Sequence, residues 1–255
     1  MLAIIISKLE PFETGARIIA DDCKSVSLSA KILFLEDIIL GSNAIELLDG
    51  VKILYFLTND SSLERYVEYF VRKNILVINK DFYRWNRSKF SIQDRLKLAG
   101  IQIPRSIATQ NFSILLSESR FLDFPLYIKS QNQSSLVIKV ADEEALRRAL
   151  SDITQRNDFY LEQSVDAECG SVTKYYFVDR LSCGINGDLS PPIISSVLKS
   201  ISTILSLDVF SVDLFVGDDK KSYWCIDVNP APGLFNSKHG RSEFIKYAQR
   251  LDHHL

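Results

Sequence analysis

The stretch Val209-Phe-Ser-Val-Asp213-Leu-Phe-Val216, then Gly217-Asp-Asp-Lys-Lys-Ser222, then Tyr223-Trp-Cys-Ile-Asp227-Val-Asn229-Pro-Ala-Pro-Gly233 decides how this chain is read. Two β-rich runs flank a polar turn, which predicts an antiparallel hairpin. Acidic and amide side chains interrupt otherwise apolar strands. Asp227 and Asn229 are two residues apart, so both side chains leave the same face of a strand. Asp213 stands on the partner strand, near in register. Three oxygen donors on one sheet face suit a magnesium ion bridging nucleotide phosphates. Without a cation, two carboxylates that close in an apolar setting repel and raise each other's pKa. A plainer reading of the same residues is that Asp227 and Asn229 open the Asn-Pro turn and Asp213 is solvated.

Working outward, 255 residues suffice for two or three packed subdomains. Hydrophobic residues make up 46% and charged ones 24%, the balance of an ordinary globular protein. A net charge of −2 gives no sign of bulk attraction to nucleic acid or membrane. No apolar run approaches a membrane span. Met1-Leu-Ala-Ile-Ile-Ile-Ser7 lacks the basic start and small-residue cleavage site of a secretory leader, so it reads as the first core strand. Cysteines at 23, 169, 183 and 225 form no CxxC pair, which argues against a zinc site and a disulfide framework and for a reducing, cytoplasmic home. His239, His253 and His254 are late and scattered, so a histidine metal site or a Ser-His-Asp triad has little support.

The first 80 residues alternate β-runs at Leu2–Ile6, Lys31–Leu35, Lys52–Leu57 and Ile75–Ile78 with helical patterns, among them Ser61 to Lys73. This alternation predicts a small parallel α/β layer. It carries no G-x-G-x-x-G, so no dinucleotide site is expected there. Residues 88–100 have helical spacing and end on Gly100. Strands are expected at Pro125–Lys129, Ser134–Val140, Phe159–Val165 and Ser171–Val178, with an amphipathic helix over Asp142–Leu150. A helix starts near Pro191-Pro192, and a short one from about Ser242 closes the chain.

This order and content resemble the ATP-grasp superfamily, nearest its branch of glutathione synthetase and the ribosomal-protein glutamate ligase. The resemblance covers roughly residues 85–235. It implies an ATP-grasp fold: a small N-terminal parallel α/β domain (1–85) followed by two α+β subdomains, 86–165 and 166–255, that clamp ATP. It further implies an ATP-dependent carboxylate–amine ligase that forms an amide through an acylphosphate. Lys89 and Lys129 match the basic residues that contact ATP phosphates. Phe159-Tyr-Leu-Glu162-Gln163-Ser-Val165 looks like the hinge whose backbone reads adenine, and Glu168 or Asp166 would hold the ribose. Lys174 stands where the family often has a basic residue facing the transferring phosphate, and Arg180 is the one basic residue in the expected acceptor loop. Asp213, Asp227 and Asn229 match the magnesium set, for two ions, with manganese as the alternative. The implied partners are ATP and a small-molecule, amino-acid or peptide substrate, with no nucleic acid and no membrane; the resemblance favours a homodimer.

Two departures stand out. The loop after the Lys129 strand, Ser130-Gln-Asn-Gln-Ser-Ser135, has no glycine where the family folds a glycine-rich loop over phosphates. The segment between Val178 and Pro191 is short, which leaves the acceptor open. A kinase that phosphorylates a hydroxyl and a non-catalytic nucleotide-binding module are the competing functions.

Overall fold

The computed structural model describes every residue except 9–11, 41–43, 59–62, 85–87, 110, 131–136, 154–158, 166–169, 189, 220 and 255. In chain order the elements begin with β1 (Leu2–Ile6), α1 (Glu13–Ser25), β2 (Ala30–Phe34), α2 (Leu35–Leu40), α3 (Ala44–Leu47), β3 (Ile53–Phe56), α4 (Leu63–Arg72) and β4 (Leu76–Val77). There follow α5 (Lys89–Leu98), β5 (Ser106–Ala108), α6 (Phe112–Glu118), β6 (Leu126–Ser130), β7 (Val137–Val140), α7 (Glu143–Asp152) and β8 (Phe159–Gln163). The last are β9 (Gly170–Val178), β10 (Leu181–Gly184), α8 (Pro192–Leu205), β11 (Val209–Gly217), β12 (Tyr223–Asn229) and α9 (Lys238–His254). The chain divides into two compact units. One comprises Met1–Trp85, Lys174–Val212 and Asn229–Leu255; the other comprises Asn86–Thr173 and Asp213–Val228.

The first unit holds an all-parallel sheet of order β2-β1-β3-β4, with Leu2 opposite Ala30 and Ile53, and Ile53 opposite Leu76. β1 and β3 are buried along their whole length. Their unbroken runs Leu-Ala-Ile-Ile-Ile and Ile-Leu-Tyr-Phe are what a parallel strand covered on both faces requires. α1 turns Ala16, Ile19, Ala20 and Cys23 into a core shared with Leu2, Ile4 and Ile6. α9 adds Phe244, Ile245 and Ala248, with the Phe244 ring 4.6 Å from that of Tyr55. This last helix starts four residues before its expected position, because the Ser237 hydroxyl accepts the Gly240 N–H and caps it there. β10, where no strand is expected, pairs antiparallel with β9 across a tight Asp179-Arg180 turn.

The second unit is built on an antiparallel sheet of order β5-β8-β6-β7. Leu126 and Ile128 of β6 and Phe159 and Leu161 of β8 face a core completed by Leu115 of α6 and Leu146 and Leu150 of α7. Asp142 caps α7 by accepting the Ala145 N–H at 2.8 Å. Strand alternation then sends Tyr127, Lys129, Tyr160 and Glu162 to the opposite face. Ile101–Pro104 is not a regular strand; regular pairing begins at Ser106, where β5 joins β8. A further sheet has order β10-β9-β11-β12. Among the described residues no helix is long and apolar enough to cross a membrane.

Candidate functional site

The face of β6 and β8 that points away from the helices has an unusual composition for a buried surface. Lys129 pairs with Tyr160 in register and Tyr127 with Glu162, so Lys129 and Glu162 are diagonal neighbours. Both are almost fully buried, at 6% and 1% exposure. The Lys129 ammonium donates to Oε1 of Glu162, and Gln93 of α5 donates Nε2–H to its Oε2 at 2.6 Å. Burial pushes the Glu162 carboxyl above its ordinary range; Lys129 and Gln93 pull it back, and nearby Asp227 raises it again. The net direction is up, because desolvation of a carboxylate outweighs one ammonium and one amide.

α5 supplies the next cation. The Ser88 hydroxyl accepts the Ser91 N–H at 3.2 Å, which sets the helix start and places Lys89 in its first turn. Lys89 Nζ lies 3.2 Å from Asp227 Oδ2, with that lysine 12% and that aspartate 30% exposed. These groups line a cavity of about 290 Å³ within the second unit. Its lining combines charged side chains, Lys89, Lys129, Glu162, Asp213 and Asp227, with apolar ones, Tyr127, Val137, Val165, Val172, Phe215 and Ile226. Gly170, also on its wall, has no room for a side chain: a Cβ there would stand 2.3 Å from the Val216 carbonyl oxygen. A larger cavity of about 580 Å³ shares Gln163, Ser164, Val165 and Phe215 with it and extends past Trp224.

The structure thus brings Lys89, Lys129, Glu162, Gln163, Val165, Asp213 and Asp227 to one cavity. Gln163 donates its side-chain N–H to Asp123 at 3.1 Å and its backbone N–H to Arg105 at 2.8 Å. Asn229 ends β12, two residues past Asp227, and its Oδ1 accepts the Ala231 N–H at 3.0 Å. Lys174 sits half-buried on β9 in the first unit. Arg180 is exposed at the tip of the β9–β10 turn, at the far end of that strand from Lys174, so these two are not brought together. Glu168, its alternative Asp166, and positions 131–135 of the glycine-free loop lie outside the described residues.

Gln93 was not anticipated. Its signal was present: it lies four residues after Lys89 and three before Leu96, so an amide sits on the buried face of α5 between Ile92 and Leu96. The thiols offer no competing nucleophile among the described residues. Burial raises Cys183 to about 11 and Cys23 to about 12, and Cys225 is pushed up further.

As to a metal, no three His, Cys, Asp or Glu side chains among the described residues group as ligands. Three carboxylates line the cavity, Glu162, Asp213 and Asp227; with Glu162 held by Lys129 and Gln93, Asp213 and Asp227 are the hard oxygen donors to consider. Such donors are the kind a magnesium ion takes.

Neither a family model nor a curated protein matches the sequence. The architecture is nevertheless the ATP-grasp fold. D-alanine–D-alanine ligase from Bacillus anthracis matches with TM-score 0.76 at 14% identity, over 99% of this chain and 96% of that one. The RimK domain ATP-grasp protein of Sphaerobacter thermophilus matches with TM-score 0.73 at 10% identity, over 98% and 100%. The ATP-grasp ligase PsnB, in complex with a minimal precursor, Mg and ADP, matches with TM-score 0.66 at 10% identity, over 91% and 89%.

Proposed function

We propose that this protein is an ATP-dependent ligase that joins a carboxylate to an amine. The observation that carries the reading is the second unit's cavity, whose lining combines two lysines and three carboxylates with apolar side chains. Triphosphate needs cations, and magnesium needs oxygen donors; a cavity with both, next to apolar walls, matches a magnesium nucleotide. The ligase chemistry of the structural neighbours supports the reaction class.

In this reading Lys89 and Lys129 hold the phosphates, and Glu162 with Gln93 keeps the Lys129 ammonium aimed at them. Asp213, Asp227 and Asn229 would hold one or two magnesium ions, or manganese. The ions would offset charge as the terminal phosphoryl passes to the substrate carboxylate. The backbone of Gln163 to Val165 would meet the base. The resulting acylphosphate is attacked by the amine, with loss of phosphate. Catalysis comes from positioning and electrostatics, and no covalent protein nucleophile is required. Lys174 would face the reacting phosphate and Glu168 the ribose. Arg180 would contact the acceptor substrate. A homodimer, a cytoplasmic setting and the three-part division at 85 and 165 belong to the same reading.

The test is thermal unfolding with and without ATP and magnesium, on the wild type and on Asp227→Ala, followed by ADP release with candidate carboxylate and amine pairs. Ligand at about a hundred times its dissociation constant adds about 2.7 kcal/mol to the wild type. The magnesium-dependent part of that shift should vanish in Asp227→Ala while the fold is kept. Normal turnover in that variant sinks the metal assignment.

A further inference from the structure

In the first unit one side chain makes four hydrogen bonds to main chain far away in sequence. Asn79 follows β4, is 1% exposed, and has φ +62. Its Oδ1 accepts the N–H groups of Asp208 at 2.7 Å and Val209 at 3.0 Å. Its Nδ2 donates to the carbonyls of Val209 at 2.6 Å and Pro230 at 3.0 Å. Val209 is the first residue of β11, four before Asp213; Pro230 follows Asn229 directly. The Asn229 amide is itself bonded to Ala231, so the path of residues 229–231 and the aim of that amide are one geometry. Tyr55 adds a second hold on this turn, donating its hydroxyl to the Pro232 carbonyl at 3.2 Å, but it touches nothing on β11 through that group.

We propose that Asn79 is a positioning residue for the divalent cation. By gripping Val209 and Pro230 together it fixes the start of the strand that carries Asp213 and the turn that aims Asn229. The assignment rests on the magnesium-nucleotide reading. It adds a residue from the parallel sheet that touches neither ion nor nucleotide. Four saturated bonds with a left-handed backbone explain why asparagine stands here: few other residues accept φ near +60 and none of similar size both donates and accepts twice.

The experiment compares wild type, Asn79→Gly, Asn79→Asp and Tyr55→Phe. Glycine removes the side chain without backbone strain at positive φ. Aspartate keeps the acceptor oxygen but turns a carboxylate oxygen toward two carbonyls. Binding of manganese is read by the electron paramagnetic resonance signal of the free ion, with a non-hydrolysable ATP analogue present, alongside melting temperature. The expected result for Asn79→Gly is roughly a tenfold weaker manganese site, the factor one mis-set hydrogen bond accounts for. Asn79→Asp should fall between it and the wild type and carries the comparison if the glycine variant does not fold. Tyr55→Phe should lower melting temperature and leave manganese binding unchanged. If the Asn79 variants also lose only melting temperature, Asn79 is a structural clamp and the proposal is overturned. Wild type with no nucleotide-dependent manganese binding overturns the magnesium-nucleotide reading itself, and the role of Asn79 with it.

Discussion

The parallel sheet of the first unit and the antiparallel sheet of the second bury polar groups in opposite ways. Beside β4, Asn79 uses all of its main hydrogen-bonding capacity on main chain, and the Tyr55 hydroxyl of β3 is bonded as well. Around β8 the pattern reverses. Gln93 binds Glu162 through its N–H but leaves Oε1 unpartnered, and Tyr160 Oη and Gln163 Oε1 are buried without partners. The other two buried orphans, Ser190 Oγ and His239 Nε2, lie outside the parallel sheet. An unmade hydrogen bond in the interior costs free energy, so saturation marks groups that hold the fold. Of the three residues with unused capacity around β8, Gln163 also lines the cavity, and a buried group left unpaired calls for an explanation that a saturated one does not.

Three perturbations test that contrast, in falling order of effect. Lys129→Met leaves the Glu162 carboxylate buried without its counter-charge and should cost about 3–5 kcal/mol in urea unfolding. The double variant with Glu162→Gln should regain most of this while failing to bind nucleotide. A cost below about 1 kcal/mol for the single change, the range of a solvated ion pair, would break the contrast. Ile4→Ala empties a fully buried site in β1 and should cost about 3 kcal/mol. Nucleotide affinity of the folded fraction should be unchanged, since the parallel sheet supplies stability; a parallel drop in affinity would show that the two roles are not separable. Ser88→Ala removes the α5 cap for about 1 kcal/mol. Because α5 carries both Lys89 and Gln93, nucleotide affinity should fall along with stability, and an unaffected affinity would remove α5 from the site.

Much of the fold was legible. β1 matches its expected span residue for residue, since a central parallel strand must be a continuous apolar run and Leu2–Ile6 is one. The Asp142 cap and the hairpin strands were readable for similar local reasons. α1 was not singled out: its N-cap position is Phe12, which makes no side-chain cap hydrogen bond. β10 was missed because four residues after a tight turn carry no periodicity, and only pairing with β9 makes them a strand. In the site, the strand lysine and the paired carboxylates could be seen because charge inside an apolar run is a local anomaly. The partnership of Glu162 with Lys129 could not, because it depends on the register of β6 against β8, 33 residues away. Asn79 was invisible for the same reason: its partners lie about half the chain away.

The diagonal placement of Lys129 and Glu162 also bears on how the second unit reaches its native pairing. Side chains alternate along a strand, so sliding β6 by one residue against β8 would turn Lys129 under α6 and α7 and send Ile128 into the cavity. A slipped sheet would then bury a bare ammonium among leucines and leave Glu162 without its counter-charge. The charged pair therefore acts as a proofreading mark during folding. The same two residues that line the cavity make the misregistered sheet unfavourable.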